Sequence, residues 1–159
     1  MNKKLATMLL TACALAASAT CFAQITAKEA IEIGKKEVPA VAVNYGTKTE
    51  VDEIKVFFFD NKTNINYEVE IDSITGRVKE LEIVGNRNIA SNNVVKTEAE
   101  IRKIVLAKYP DAQNLFVKLD KEDNATVYEA EFFTPKYLKA ELKLSPVTGD
   151  IGKEELKYR

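Results

Sequence analysis

Apolar and polar residues alternate along much of this chain, and at two places the alternation gives way to helical spacing. Ile65, Tyr67, Val69 and Ile71 are separated by Asn66, Glu68, Glu70 and Asp72, so a strand over these residues buries one face and wets the other. Leu138, Ala140, Leu142 and Leu144 repeat the pattern against Lys139, Glu141 and Lys143. Turn-bounded β-rich runs at 51–59, 78–84, 115–119, 126–133 and 151–156 predict further strands, and 41–45 adds a short edge strand. The two helices begin at Thr26 and Thr97. Each threonine stands three residues before a glutamate, Glu29 or Glu100, the spacing of a capping box that satisfies two orphan backbone donors. Ala27, Ala30, Ile31, Gly34 and Val38, and later Ile101, Ile104, Val105 and Lys108, keep helical spacing until Pro39 and Pro110 stop each helix.

The order of these elements recurs. Thr26, Glu29, Ile33 and Pro39 reappear as Thr97, Glu100, Ile104 and Pro110 at an offset of 71. Ile71, Thr75, Gly76 and Val78 reappear as Leu144, Thr148, Gly149 and Ile151 at an offset of 73. Recurrence of residues and elements in one order predicts a duplication. The expected fold class is α+β, with two repeated units, each an N-terminal helix packed on a three- or four-stranded antiparallel sheet. In the turn at 72–76, Asp72 can bond its own loop backbone and Gly76 can take a positive φ.

The first residues follow another pattern. Lys3 and Lys4 precede an uncharged stretch over 5–22 that ends in Cys21-Phe22-Ala23, the layout of a cleaved secretory signal peptide. A competing route is Leu10-Thr11-Ala12-Cys13, which resembles a lipobox and would leave a lipoprotein anchored through Cys13. The expected organisation is a signal peptide at 1–23, a first unit at 24–85, a linker at 86–94 and a second unit at 95–159. Cleavage after Ala23 removes both cysteines and two lysines, which takes the formal charge from -1 to -3. The mature core must then hold without disulfides, which fits a bacterial exported protein, periplasmic or secreted.

Composition narrows the chemistry. The 159 residues include no histidine, which removes histidine-dependent triads and histidine-ligated zinc. No long basic run offers the clustered cations that nucleic acid demands. The chain is therefore expected to be no enzyme, with no catalytic residue, metal or cofactor. Glu68, Glu70 and Asp72 read as a solvated strand face rather than an acid/base pair, and Tyr67 and Tyr128 as core residues. Asp120, Glu122, Asn124, Thr126, Tyr128 and Glu131 fall on the ligand positions of an EF-hand loop. Ala125, however, replaces the glycine of its turn, and strand spacing replaces the helix that should follow.

One stripe of side chains remains unexplained by the alternation. At the offset of 73, Phe57 and Phe59 match Ala130 and Phe132 and face the core. That places Ile54, Val56 and Phe58 on the outer face, where the second unit has Glu129 and Glu131. An apolar stripe on a wet face either packs against the other unit or engages a partner. Ile54, Val56 and Phe58 are the candidate partner surface.

Ile25-Thr26-x-x-Glu29-Ala30-x-x-Ile33, followed by Tyr67-Glu68-Val69-Glu70-Ile71-Asp72-x-x-Thr75-Gly76-x-Val78, resembles the PepSY domain of thermolysin-like metallopeptidase propeptides and exported bacterial proteins. The second unit keeps Thr97, Glu100, Ile104, Tyr128-Glu129-Ala130-Glu131 and Thr148-Gly149, and departs at Pro146 and Asp150. Lys108-Tyr109-Pro110-Asp111-Ala112 is also similar to PepSY-like relatives of β-lactamase inhibitory proteins. The resemblance implies an exported, non-catalytic protein-binding module that inhibits or regulates a peptidase or another envelope protein by occlusion. The alternative is an envelope module of the β-lactamase-inhibitor-like group that binds or senses a small ligand. The first reading expects a protein partner, no nucleic acid, no membrane span after processing, and a monomer or weak oligomer.

Overall fold

Both capping boxes form. The Glu29 backbone N–H donates to the Thr26 hydroxyl at 3.2 Å and the Glu29 carboxylate accepts from the Thr26 backbone at 2.7 Å. The Thr97 and Glu100 pair repeats this at 3.3 and 2.9 Å. In this computed structural model, which describes residues 24–85, 88–122 and 125–159, they open helices α1 (Ala27–Gly34) and α2 (Glu98–Lys108). The first helix is followed by strands β1 (Val43–Thr49), β2 (Glu53–Asp60), β3 (Ile65–Asp72) and β4 (Val78–Gly85). The second is followed by β5 (Gln113–Glu122), β6 (Ala125–Phe133), β7 (Tyr137–Leu144) and β8 (Ile151–Tyr158). In the β3–β4 turn Asp72 accepts from the Thr75 backbone at 2.7 Å, and Gly76 takes a φ of 69° that only glycine adopts freely.

The strands form one antiparallel sheet in the order β1-β2-β3-β4-β8-β7-β6-β5. This replaces the expected two repeated units with a single sheet that spans the chain. The joint is β4 on β8, with Leu81 opposite Leu156 and Glu80 opposite Lys157. Each quartet alone would leave its last strand as an unpaired edge, and pairing removes both edges at once. Leu81 and Leu156 are buried there.

Both helices cover the same face. Val56, Val69, Leu81, Leu156, Ala140 and Phe132 form one row across six strands beneath them. Under α1, a Cβ added at Gly34 would lie 3.0 Å from the Phe58 ring, so the helix can approach only without a side chain there. Under α2, the Tyr109 ring meets Phe132 at 5.0 Å. Glu154 points into this layer from β8, buried, and accepts from the Tyr109 hydroxyl at 2.5 Å and from the Lys108 ammonium. From the end of α1, Glu37 crosses to the second quartet and accepts from the Tyr158 hydroxyl at 2.6 Å.

The facing of β2 differs from the sequence expectation by one residue. The β2–β3 connection holds residues 61–64, whereas β6–β7 holds only 134–136. The offset is therefore 73 in β3 but 74 in β2, and a one-residue slip turns every side chain to the other face. Ile54, Val56 and Phe58 lie inside against α1, and Lys55, Phe57 and Phe59 face outward. Two smaller differences have local causes. The edge strand runs later than 41–45 because 50–52 forms the turn, with Val51 exposed. An irregularity between Tyr137 and Lys139 turns Leu138 out to 61% exposure and lets Tyr137 pack on the core instead.

Replacing Phe58 by Ala should cost about 3–5 kcal/mol in denaturant unfolding, and Phe57→Ala only about 1 kcal/mol. The reverse order would restore the sequence-based facing. The capping bonds hold the Glu100 carboxyl at about 2, below the ordinary 4.5, through the Thr97 backbone first and its hydroxyl second. Because the folded value is depressed, this stabilisation is complete above pH 4.5 and is lost as pH falls toward 2. Thr97→Val should lower Tm at pH 7 and have much less effect near pH 2.

Candidate functional site

The face of the sheet away from the helices carries the outward residue of every strand. Glu68, Glu82, Glu155, Glu141 and Glu131 stand directly opposite one another across β3, β4, β8, β7 and β6. Like charges in register destabilise a sheet, and lysines from the neighbouring rows offset this. Lys55 reaches Glu68 at 2.9 Å and also contacts Glu70. Lys153 reaches Glu82 at 3.3 Å, Lys157 reaches Glu155 at 3.4 Å, and Lys139 reaches Glu141 at 2.9 Å and Glu131 at 3.4 Å. Donating to Glu70 and Glu68 holds the Lys55 ammonium well above the usual lysine range.

Two carboxylates of this face are raised instead. Burial, and then the neighbouring Glu155, push the Glu80 carboxyl up. Burial also pushes Glu129 up, while the hydrogen bond from Glu129 holds Glu131 down, so Glu129 is the better proton holder of the pair. Glu80, Glu82 and Glu155, and separately Glu129, Glu131 and Glu141, bring three carboxylates within reach of one cation. Lys153, Lys157, Lys118 and Lys139 already serve these positions. The arrangement is an ion-pair carpet.

The glutamate row ends in an aromatic ring on both sides, Phe57 on β2 and Phe116 on β5. At the β1 end Tyr45 packs on Phe57 with ring centroids 5.9 Å apart, and Val43 stands opposite Phe59. Val43 and Tyr45 are 67% and 62% exposed. At the β5 end Phe116, Phe133 and Leu138 line a cleft of about 430 Å³. Contact chemistry is therefore available at two apolar ends of a charged band.

Sequence reasoning found an apolar stripe on β2 but assigned it to the wrong residues. Ile54, Val56 and Phe58 are 2%, 0% and 0% exposed and cannot meet a partner in the folded chain. Phe57 and Phe59 take the outward positions, and Tyr45 and Val43 extend them. The readable clue was the extra residue between 60 and 65. Tyr67 and Tyr128 are buried as expected, and the Tyr128 hydroxyl donates to the Lys96 carbonyl at 2.8 Å, fixing the entry to α2. Of the EF-hand positions, Asp120 lies in β5 and Thr126, Tyr128 and Glu131 in β6, so a hairpin replaces the loop and helix that calcium would need. Asn124 lies outside the described residues. Two further clefts, about 460 Å³ beside Arg77 and Lys157 and about 670 Å³ along α1 at Ile25 and Ile33, are open to solvent.

The family model described as peptidase propeptide and YPEB domain, PepSY, matches residues 95–155. This segment is similar to PepSY domains. It covers α2 and β5 to β7 and most of β8, and PepSY is a propeptide-type, non-catalytic family. The match lies on the half with the looser motif and leaves out 24–85. Two solved structures are similar to the chain. One is a candidate lipoprotein from Clostridium difficile 630, 23% identical, covering 80% of this chain and 90% of that one at a TM-score of 0.31. The other is a DUF2874 family protein from Bacteroides uniformis ATCC 8492, 14% identical, covering 80% and 86% at a TM-score of 0.32. No curated protein sequence matches the chain. Among the described residues no helix is long and apolar enough to cross a membrane.

A carboxyl raised by burial makes its charged form a liability in the folded chain, so the cost appears above its folded value and vanishes below its ordinary one. Glu80→Gln should therefore raise Tm at pH 7 and leave it unchanged at pH 3. An equal effect at both pH values would show that Glu80 is not strained by its charge.

Proposed function

We propose that this protein is an exported, non-catalytic binding module that inhibits or regulates a peptidase or another envelope protein by occlusion. The observation that carries this reading is the one-sided covering of the sheet, together with the PepSY match at 95–155. Helices shield one face, and the other ends in exposed aromatic and aliphatic side chains that no element of the described chain covers. Val43, Tyr45, Phe57 and Phe59 are the corrected partner surface, in place of the buried Ile54, Val56 and Phe58. Aromatic anchors beside a charged, satisfied field are the composition of a protein contact rather than of a reaction centre. PepSY domains are typically extracellular or envelope-associated. In keeping with that, 1–23 acts as a secretory leader and 24–85 forms a second PepSY-like unit joined through 86–94, with both units contributing to one sheet.

The test uses the 24–159 chain as bait against an envelope extract of the producing cells, beside a Tyr45→Glu, Phe57→Glu double variant. A peptidase or other envelope protein should be retained by the natural chain and lost at least about tenfold in the variant, the scale of one removed aromatic anchor. Equal Tm values for the two baits establish that the fold is intact. Equal capture by both would move the contact off this edge, and capture of no protein by either would overturn the protein-binding reading.

A further inference from the structure

The tight β6–β7 turn presents Lys136 to a group of side chains drawn from three parts of the chain. Its ammonium lies 5.3 Å from the Tyr137 ring centroid, 5.0 Å from that of Tyr158, and 3.3 Å from the Glu37 carboxylate. Two aromatic faces and one carboxylate around a single cation form a cation-recognition cage, since ring quadrupoles and the carboxylate attract the same charge. We propose that Tyr137, Tyr158 and Glu37 form a binding site for an alkylammonium group from outside the chain, with Lys136 as its resident and displaceable plug.

The walls stand without the lysine side chain. Tyr158 donates to Glu37 at 2.6 Å, and the Tyr137 and Tyr158 rings meet edge to face at 5.2 Å. Both rings pack against the hydrophobic core. The turn is fixed by the buried Thr134 hydroxyl, which accepts from the Lys136 backbone at 3.1 Å and the Tyr137 backbone at 3.0 Å. Lys136 stays partly in solvent. Its side chain is 56% exposed, so the path it follows into the cage is open to solvent. An exposed cation–π contact is weak, whereas a quaternary ammonium, which sheds its hydration more readily, gains more from the same aromatic faces. This site is on the helix side of the sheet and does not rest on the aromatic edge proposed above.

The experiment follows the Tyr137 and Tyr158 ring resonances by NMR in the 24–159 chain and in Lys136→Ala. Titrants are tetramethylammonium chloride and Nα-acetyl-lysine methylamide, with sodium chloride at equal ionic strength as the reference. Lys136→Ala should bind tetramethylammonium saturably and about tenfold more tightly than the natural chain, and Glu37→Gln in that background should lose the gain. Tighter binding of tetramethylammonium than of the lysine derivative would assign the site to a free quaternary ammonium, and the opposite order to a lysine on a partner. Absence of saturable shifts in Lys136→Ala overturns the proposal. So does collapse of the cage in that variant, seen as loss of the mutual ring-current shifts of the two tyrosines, because the walls would then depend on the plug.

Discussion

The antiparallel pairing of β4 with β8 is the constraint on which the rest of the molecule depends. Without it each quartet would be a small sheet with one helix, near the size at which a single core is marginal. With it, the apolar rows run unbroken beneath both helices, and Leu81 and Leu156 are sealed at the joint. Contacts that span the halves cluster around the same joint. Glu37 reaches Tyr158 and Lys136, and the Arg77 guanidinium donates to the Arg159 carbonyl at 2.9 Å. A protein held in this way is expected to unfold as one cooperative body, with neither half persisting alone.

The joint also decides what the molecule offers to its surroundings. Joining the quartets edge to edge puts both helices on one side and leaves a broad opposite face. That face is kept wet by charge, with glutamates in register and lysines between them, and its most exposed apolar groups, Val43, Tyr45, Phe116 and Leu138, lie toward the two ends. Exposed ion pairs of this kind add little stability. Charge across the middle of the sheet disfavours its pairing with other sheets. The proposed occlusion would need no reactive group from such a surface, and the PepSY match at 95–155 supports that reading.

Much of the local structure was legible in the sequence. Thr26 with Glu29 and Thr97 with Glu100 mark both helix starts, and the alternation over 65–72 gives β3 with its facing. These signals are local, set by backbone donors and by the period of two in a strand. The facing of β2 was missed because it depends on the length of a connection, and one additional residue before Ile65 inverted the assignment of Ile54, Val56 and Phe58. The joining of the quartets was missed because Leu81 and Leu156 read as ordinary strand residues, and nothing in either segment names its neighbour. The ammonium cage was invisible for the same reason, since Glu37, Lys136 and Tyr158 meet only after the halves are joined.

Gly34 gives the chain a way to tell its own parts apart. The same helical position in α2 is Val105. Beneath Gly34 the Phe58 ring already lies at the limit for a single added carbon. A branched side chain there would crowd the ring, so α2 would fit less well in the place of α1. Two similar helices and two similar strand quartets could be matched in two ways during folding, and between neighbouring chains at high concentration in many more. One missing side chain therefore marks α1 as the helix that fits over Phe58.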